Sequence, residues 1–474
     1  MVIGLEVHVQ LLTQSKLFCG DPAAFTANPN TNISPITLAH PGTLPKMNTK
    51  AIEYAIKLGL ALHCDIEQHN YFARKNYFYP DLPKGYQVSQ HTTPICKNVF
   101  IKIKAGGEER NIRLNRIHME EDAGKSLHDI DENYTSLDFN RAGVPLLEIV
   151  SEPDLHSSEE AFAYITELRK LVTWLGICDG NMEEGSMRCD ANISIRLTGE
   201  PTLGTRVEVK NLNSIRNVKR AIDVEAARLI EITERREKII QETRSYDADN
   251  NLTFSLRVKE DADDYRYFPE PDLTPFHITD EYLHKIKTSL PVLPNALIQR
   301  YKEEFQLSDY DASVLCDDPE QAAYFEEIIK HTGNYKAVAN WLLGPVKSYL
   351  NDNSIPYNKF PLPPEKVSAL VSLVEEGKLN FGIASSKVFA ELLKHPGKQP
   401  LEIATELNLI LENDSNSIEQ WVNEVIAKMP DKVNQYQSGK KGLLGLFAGE
   451  VKRLSKGKAD MQIVNTLLEK KLNN

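Results

Sequence analysis

Apolar and polar residues alternate strictly in the stretch VIGLEVHVQ, residues 2–10. Ile3, Leu5, Val7 and Val9 share one face; Gly4, Glu6, His8 and Gln10 share the other. A period of two predicts a half-buried strand that starts almost at once, in place of a basic leader followed by an apolar signal segment. MRCDANISIR (187–196) reads alike, with Cys189, Ala191, Ile193 and Ile195 inward and Arg188, Asp190, Asn192, Ser194 and Arg196 outward. In RVEVKN (206–211), Val207 and Val209 point inward, Arg206, Glu208 and Lys210 outward. Three strands with an apolar face backed by carboxylates, amides and bases predict an antiparallel sheet whose polar face is a concave site.

Helical spacing takes over elsewhere. Residues 213–241 place Ile215, Val218, Ile222, Ala226, Leu229 and Ile230 on one stripe, with Ser214 as the cap. After SLPVLPNAL (289–297) the period stays helical: Leu342, Leu343, Val346 and Leu350, then Val367, Leu370, Val371, Leu373 and Val374, then Val388, Phe389, Leu392 and Leu393. The chain therefore reads as α+β: a mixed body over 1–288, an all-helical part over 289–403 and a small helical tail over 404–474. A length of 474 residues suits several domains rather than one core.

Composition narrows the class. Hydrophobic residues are 41% and charged residues 26%, and no apolar run reaches the ~18 residues of a membrane span. Six scattered cysteines without a C-x-x-C pair point to a reducing, cytoplasmic setting. The net charge of −12 is uneven: from Asp431 to Asn474 nine Lys/Arg oppose four Asp/Glu, leaving −17 for residues 1–430. A basic tail on an acidic body suits local RNA contact beside cation chemistry, although ordinary charge scatter explains the charges equally well.

Candidate chemistry follows from the polar faces. Glu6 and His8 at i, i+2 lie roughly 6–7 Å apart at Cα, a spacing suited to sharing one cation, though an exposed strand face is the simpler reading of that pair alone. Hard cations such as Mg²⁺ take carboxylate oxygens and keep waters for phosphate, while neighbouring Arg and Lys suit phosphoryl charge. No Walker loop and no G-x-G-x-x-G occurs, so side chains and metal would have to hold a nucleotide. KNYFYPDLPKGYQ (75–87) combines Lys75 and Lys84 with aromatic rings on which a base can stack, a packed turn being the commoner explanation. NMEEGSMR (181–188) and HMEEDAGK (118–125) each carry a Glu-Glu pair. Alternation sends Glu120 and Glu121 to opposite faces, so only a bulge or turn, helped by Gly124, lets both meet one metal.

Several long words together are more specific than any motif. IGLEVHVQLLTQSKLFC, HMEEDAGK, DFNRAGVPLLEIVSEPD, EEGSMRCDANISIR, VEVKNLNSIRNVKRAI, DYRYFPEPDL, ANWLLG and GLLGLFAGEVKRL run in order through the chain. In these it resembles the B-subunit (GatB/GatE) family of the bacterial aspartyl/glutamyl-tRNA amidotransferases. The resemblance implies a cradle of glutamine synthetase/guanidino kinase-like fold in the body, with tRNA-contacting parts after it. It implies ATP- and Mg²⁺-dependent phosphorylation of the side-chain carboxylate of misacylated Glu-tRNA(Gln) or Asp-tRNA(Asn). Ammonia from a glutaminase A subunit then gives Gln-tRNA or Asn-tRNA, a small C subunit completing the heterotrimer; neither DNA nor a membrane is a partner.

Carried over by residue, the resemblance assigns metal ligation to Glu6, His8, Glu120, Glu121, Asp190 and Glu208. Glu121, Glu208, Asp190 and Lys210 become the catalytic set, and Lys75, Ser186, Arg188 and Lys210 the nucleotide contacts. No side-chain nucleophile is implied. Many members also hold zinc through a cysteine after LFC and a C-P-x-C pair; here Cys19 remains but the pair reads Ser34-Pro35-Ile36-Thr37, so no zinc is expected. Two other readings stand beside this one: a glutamine synthetase-like ligase for a free small molecule, and a non-catalytic chaperone of misacylated tRNA.

Overall fold

The N-terminal alternation forms β1 (Val2–Gln10), and its inward residues Ile3, Leu5, Val7 and Val9 are all buried. Burial of each such side chain contributes about 1.5–3 kcal/mol, which pins the strand's facing. The computed structural model describes residues 1–128, 130–258, 264–411, 415–455 and 458–473, in two compact units, Met1–Pro294 and Asn295–Asn474.

In the first unit the further strands that matter are β2 (Ala73–Asn76), β3 (Tyr86–Ser89), β4 (Val99–Ala105), β5 (Glu108–Glu121), β6 (Pro145–Ser151), β7 (Met187–Ser194), β8 (Val207–Leu212), β9 (Glu242–Asp247), β10 (Leu252–Val258) and β11 (Phe268–Pro269). They join one large sheet in the order β10-β9-β8-β7-β1-β6-β5-β3-β2-β11, with β4 also paired to β5. Neighbours run antiparallel except β8 and β9, which are parallel. β1 sits mid-sheet between β6 and β7, so its polar residues face a centre rather than an edge.

Helices cover the apolar face. α1 (Thr49–Ala61), α2 (Ser158–Trp174) and α3 (Ile215–Glu234) contribute Ile52, Ile56, Tyr164, Leu168, Ile222 and Leu229 to one core with Cys189, Ala191, Ile193, Val207 and Val209. Ser214 caps α3, accepting from Asn217 N at 3.1 Å. The helix stops at Glu234, short of the expected residue 241, because Arg236 turns left-handed at φ +61°. Ile230, expected on the buried stripe, is 47% exposed.

The expected strand 187–196 ends at Ser194. The loop from Gly20 to Pro45 is anchored by asparagines: Asn30 N donates to Asp138, Asn32 N to Asn140 Oδ1, and Asn140 Nδ2 to Asn28 O. At its base Thr37 donates to Asp21 and lies 3.4 Å from Cys19 Sγ.

The second unit is helical among its described residues, and the apolar repeats read from sequence are its packing positions: Leu342, Val346, Leu350, Val367, Leu370, Val371, Val388 and Leu392 are buried. Pro345 lies in a π-turn, Leu342–Val346, the kind of widened turn that accommodates a residue lacking an N–H. Ile418, Val422, Phe447, Val451, Val464 and Leu468 form a cluster of their own. Among the described residues no helix is long and apolar enough to cross a membrane.

Candidate active site

Strand register builds the site. Glu6 stands opposite Asp190, His8 is flanked by Arg188 and Glu148, Glu148 faces His118, and Asn192 faces Glu208. Cross-strand neighbours on one face lie about 4.5–5.5 Å apart at Cβ, so five strands gather their polar side chains on the side away from the helices. The result is a cavity of about 350 Å³ whose lining includes Glu6, His8, Lys75, Glu120, Glu148, Arg188, Asp190, Glu208 and Lys210.

Two groupings share this cavity. In the first, His8 Nε2 is 3.7 Å from Glu120 and 3.9 Å from Glu148. Behind them the buried His118 Nε2 sits 3.1 Å from Glu148 and 3.6 Å from Glu120. Burial alone would push the His118 imidazole down, but the two carboxylates win and hold its pKa at about 9. Against its own burial, Glu148 is held well below the usual carboxylate range by His118, with His8 and Lys75 assisting.

In the second grouping Lys210 is paired with Asp190 and lies 3.1 Å from Glu208. Thr243 donates to Glu208 at 2.8 Å and Asn192 Nδ2 to Glu6 at 3.0 Å. Burial opposes the Lys210 charge, yet Asp190 and Glu208 raise its pKa; burial and the charges of Glu148, Asp190 and Glu208 raise that of Glu6. Carboxylates thus outnumber bases, a charge balance that suits cation binding. Arg188 is held 2.7 Å from Asp122, which Gln10 and Arg141 also flank.

One ligand atom each from His8, Glu120 and Glu148 lies within 4.8 Å of the others. An imidazole nitrogen with two carboxylates is a donor set that fits a divalent cation, the carboxylate oxygens suiting Mg²⁺ or Mn²⁺ and the imidazole a transition metal.

Eight sequence-derived candidates, Glu6, His8, Lys75, Glu120, Arg188, Asp190, Glu208 and Lys210, therefore meet in one cavity. Glu121 and Ser186 do not. The β5–β6 register continues unshifted through Glu120 and Glu121, so the expected bulge is absent and alternation turns Glu121 to the opposite face. There it lies 2.5 Å from Lys84, accepts from Val88 N at 2.8 Å and lines a separate cavity of about 130 Å³. Gly124 serves a different purpose, since a Cβ there would stand 2.8 Å from Asp81 O. Ser186 Oγ bonds Asp179 in the turn before β7, at 3.2 Å.

Glu148 and His118 were not singled out as site residues by sequence reasoning. Period-two reading of PLLEIVS would have isolated Glu148 on a polar position, but only long-range register brings it beside His8.

A family model described as the GatB/GatE catalytic domain matches residues 1–284, and one described as the GatB domain matches residues 323–472. The chain belongs to the GatB/GatE family. Relatives that match it at full length are named as the B-subunit of aspartyl/glutamyl-tRNA(Asn/Gln) amidotransferase. That of Thermodesulfovibrio yellowstonii is 46% identical over 469 residues, covering 99% of this chain and 98% of the relative. That of Pelodictyon phaeoclathratiforme is 49% identical over 472 residues, covering 100% and 99%. Every residue lining the acidic cavity falls within the span matched to the GatB/GatE catalytic domain.

Proposed function

We propose that the cavity is where ATP phosphorylates the side-chain carboxylate of a glutamate or aspartate esterified to tRNA, and where the acyl phosphate is then amidated. The observation that carries this reading is one sheet face bearing both a His–carboxylate cluster and a Lys/Arg set, in a GatB/GatE-family chain without a glycine-rich phosphate loop. The same sheet, polar on one face and helix-covered on the other, supports a glutamine synthetase/guanidino kinase-like cradle.

A carboxylate resists nucleophiles because its charge repels them and its leaving group would be oxide. Attack by its oxygen on the γ-phosphorus transfers the phosphoryl group and releases ADP. Ammonia then adds to the carbonyl carbon, phosphate leaves with the bonding pair, and the amide nitrogen sheds its proton. His8, Glu120 and Glu148 would hold a divalent cation, whose charge lets an anionic acceptor approach the phosphates. Lys210 and Arg188 present positive charge to the phosphoryl oxygens, each oriented by the carboxylate it touches. His118 orients Glu148 from behind, as an outer hydrogen-bond partner orients a ligand.

A glutaminase A subunit supplies the ammonia and a C subunit joins the two. The tail beyond residue 404 contacts tRNA, a reading supported by its own apolar cluster and by the basic charge of its residues 431–474. The test is to give the assembled complex Glu-tRNA(Gln) and ATP without glutamine and to trap with hydroxylamine. ADP release that requires the aminoacyl-tRNA, with a side-chain hydroxamate formed, is the expected result. ADP release independent of the tRNA, or unchanged in Glu148→Gln, overturns the assignment.

A further inference from the structure

The loop joining β2 to β3 holds aromatic side chains that the chemistry above leaves unused. Its sequence is Tyr77-Phe78-Tyr79-Pro80-Asp81-Leu82-Pro83-Lys84-Gly85. Tyr77 lines the acidic cavity, whereas Phe78 is 83% exposed and Tyr79 50% exposed. An unburied phenylalanine forgoes about 1.5–3 kcal/mol, and a merely packed turn would have hidden it.

The rings stand in series. Tyr79 meets Tyr77 edge-on at 5.8 Å, Tyr77 meets Tyr265 at 6.0 Å, and Tyr265 meets Tyr267 at 5.9 Å. Tyr267 stacks on His91 at 3.9 Å. The Lys75 ammonium lies 4.9 Å from the Tyr265 centroid and 5.7 Å from that of Tyr77, and both Lys75 and Tyr265 line the cavity. A row of rings therefore runs from solvent to the cavity wall, with a cation beside its inner end. Single-stranded nucleic acid is bound by such an arrangement: bases stack on rings while a basic side chain meets the backbone. An apolar protein partner fits less well. The two exposed rings are followed in the loop by Asp81 and Lys84, and their neighbour Leu82 is buried, so the loop adds charge rather than further large apolar side chains beside them.

We propose that Phe78 and Tyr79 form a stacking platform for the unpaired 3′-terminal nucleotides of the substrate tRNA, Lys75 meeting a phosphate as the esterified amino acid enters the cavity. The proposal rests on the transamidation reading and names how its RNA substrate is held at the cavity mouth.

The test compares the assembled complex, wild type and Phe78→Ala/Tyr79→Ala, binding uncharged tRNA either intact or trimmed of its 3′-terminal nucleotides. Trimming is expected to weaken wild-type binding by about five- to 150-fold per lost stack, the equivalent of about 1–3 kcal/mol each. The double variant should bind intact tRNA as weakly as the wild type binds trimmed tRNA, and trimming should cost it nothing further. KM for Glu-tRNA should rise by the same factor while KM for ATP stays constant, and Phe78→Trp should restore most of the loss. An undiminished trimming penalty in the variant overturns the platform, as does dissociation of the subunits, which would place the rings in a protein interface. ADP release that depends on aminoacyl-tRNA but ignores both rings overturns the platform alone. Wild-type ADP release that ignores the tRNA overturns the transamidation reading as well.

Discussion

Glu120 and Glu121 are consecutive yet face opposite sides of the sheet, Glu120 beside His8 at 3.7 Å and Glu121 beside Lys84 at 2.5 Å. Unbroken alternation at the end of β5 thus divides two buried acids between two cavities. On the cation site proposed for His8, Glu120 and Glu148, loss of a ligand forfeits several kcal/mol of transition-state stabilisation, so Glu120→Gln should lower tRNA-dependent ADP release by at least about a hundredfold. Glu121→Gln should stay within about tenfold in that assay, and should instead lower the thermal midpoint because Lys84 loses its partner. Comparable losses of ADP release in the two variants would overturn the division and place Glu121 among the proposed cation ligands.

Lys210 is the cation amid Glu6, Asp190 and Glu208. If the phosphates bind where proposed, Lys210→Met should leave three carboxylates facing them and reduce kcat/KM for ATP by about a hundredfold. Lys210→Arg keeps the charge in another shape and should recover about a tenth of wild-type activity. Steady-state kinetics with saturating aminoacyl-tRNA reads both; equal activity of the Met and Arg variants would remove the charge argument.

The faces of β1, β7 and β8 were legible because a period of two is a local property. Glu6, His8, Asp190, Glu208 and Lys210 emerged from spacing alone as polar-face residues. Glu148 and His118 did not, because the pairing of β6 with β1 and β5 crosses long stretches of sequence, more than a hundred residues in the case of β1, and leaves no local trace. The turn at Gly124 misled for a related reason: glycine is required by Asp81 and Asp138, and nothing near it in sequence reveals that approach. The end of α3 was hidden too, since apolar spacing continues past Arg236 while the backbone does not.

Gly124 links that turn to Arg188, proposed above to meet the phosphates. A Cβ would stand 2.8 Å from Asp81 O and 3.0 Å from Asp138 O, both backbone atoms with little freedom to move. Arg141 clamps Ala123 O and Gly124 O at 3.0 and 2.7 Å and flanks Asp122, the partner of Arg188. Gly124→Ala should therefore cost about 1–3 kcal/mol and raise KM for ATP. Thermal unfolding and kinetics together check it: a stability loss with KM unchanged would show that the turn and Arg188 are uncoupled.

In the second unit, Asp311 accepts from Ser308 Oγ at 2.7 Å and from Lys336 at 2.6 Å, joining the helices Asp309–Leu315 and Tyr335–Trp341. Burial opposes the charge, yet Lys336 and Ser308 hold the carboxyl below its ordinary value. A depressed folded value means the stabilisation is complete above the unfolded value of about 3.9. It is lost as pH falls through the folded one. Asp311→Asn should cost about 1–2 kcal/mol at neutral pH and progressively less below about pH 4. Unfolding curves at both pH values check this; an equal deficit at each would mean that the charge contributes nothing.

Lys432, Lys440, Lys452 and Lys470 are exposed in the tail, while Lys441 lies over the Tyr436 ring at 4.2 Å. Phosphate contacts release counterions, so each one adds roughly 0.7–0.9 to the slope of log affinity against log salt. Changing the four exposed lysines to glutamine should weaken tRNA binding by the assembled complex and reduce that slope by up to about 3. The maximal rate of ADP release at saturating aminoacyl-tRNA should hold, because the acidic cavity lies wholly in the first unit. An unchanged salt slope would take RNA contact away from the tail and leave its basic charge as ordinary surface scatter.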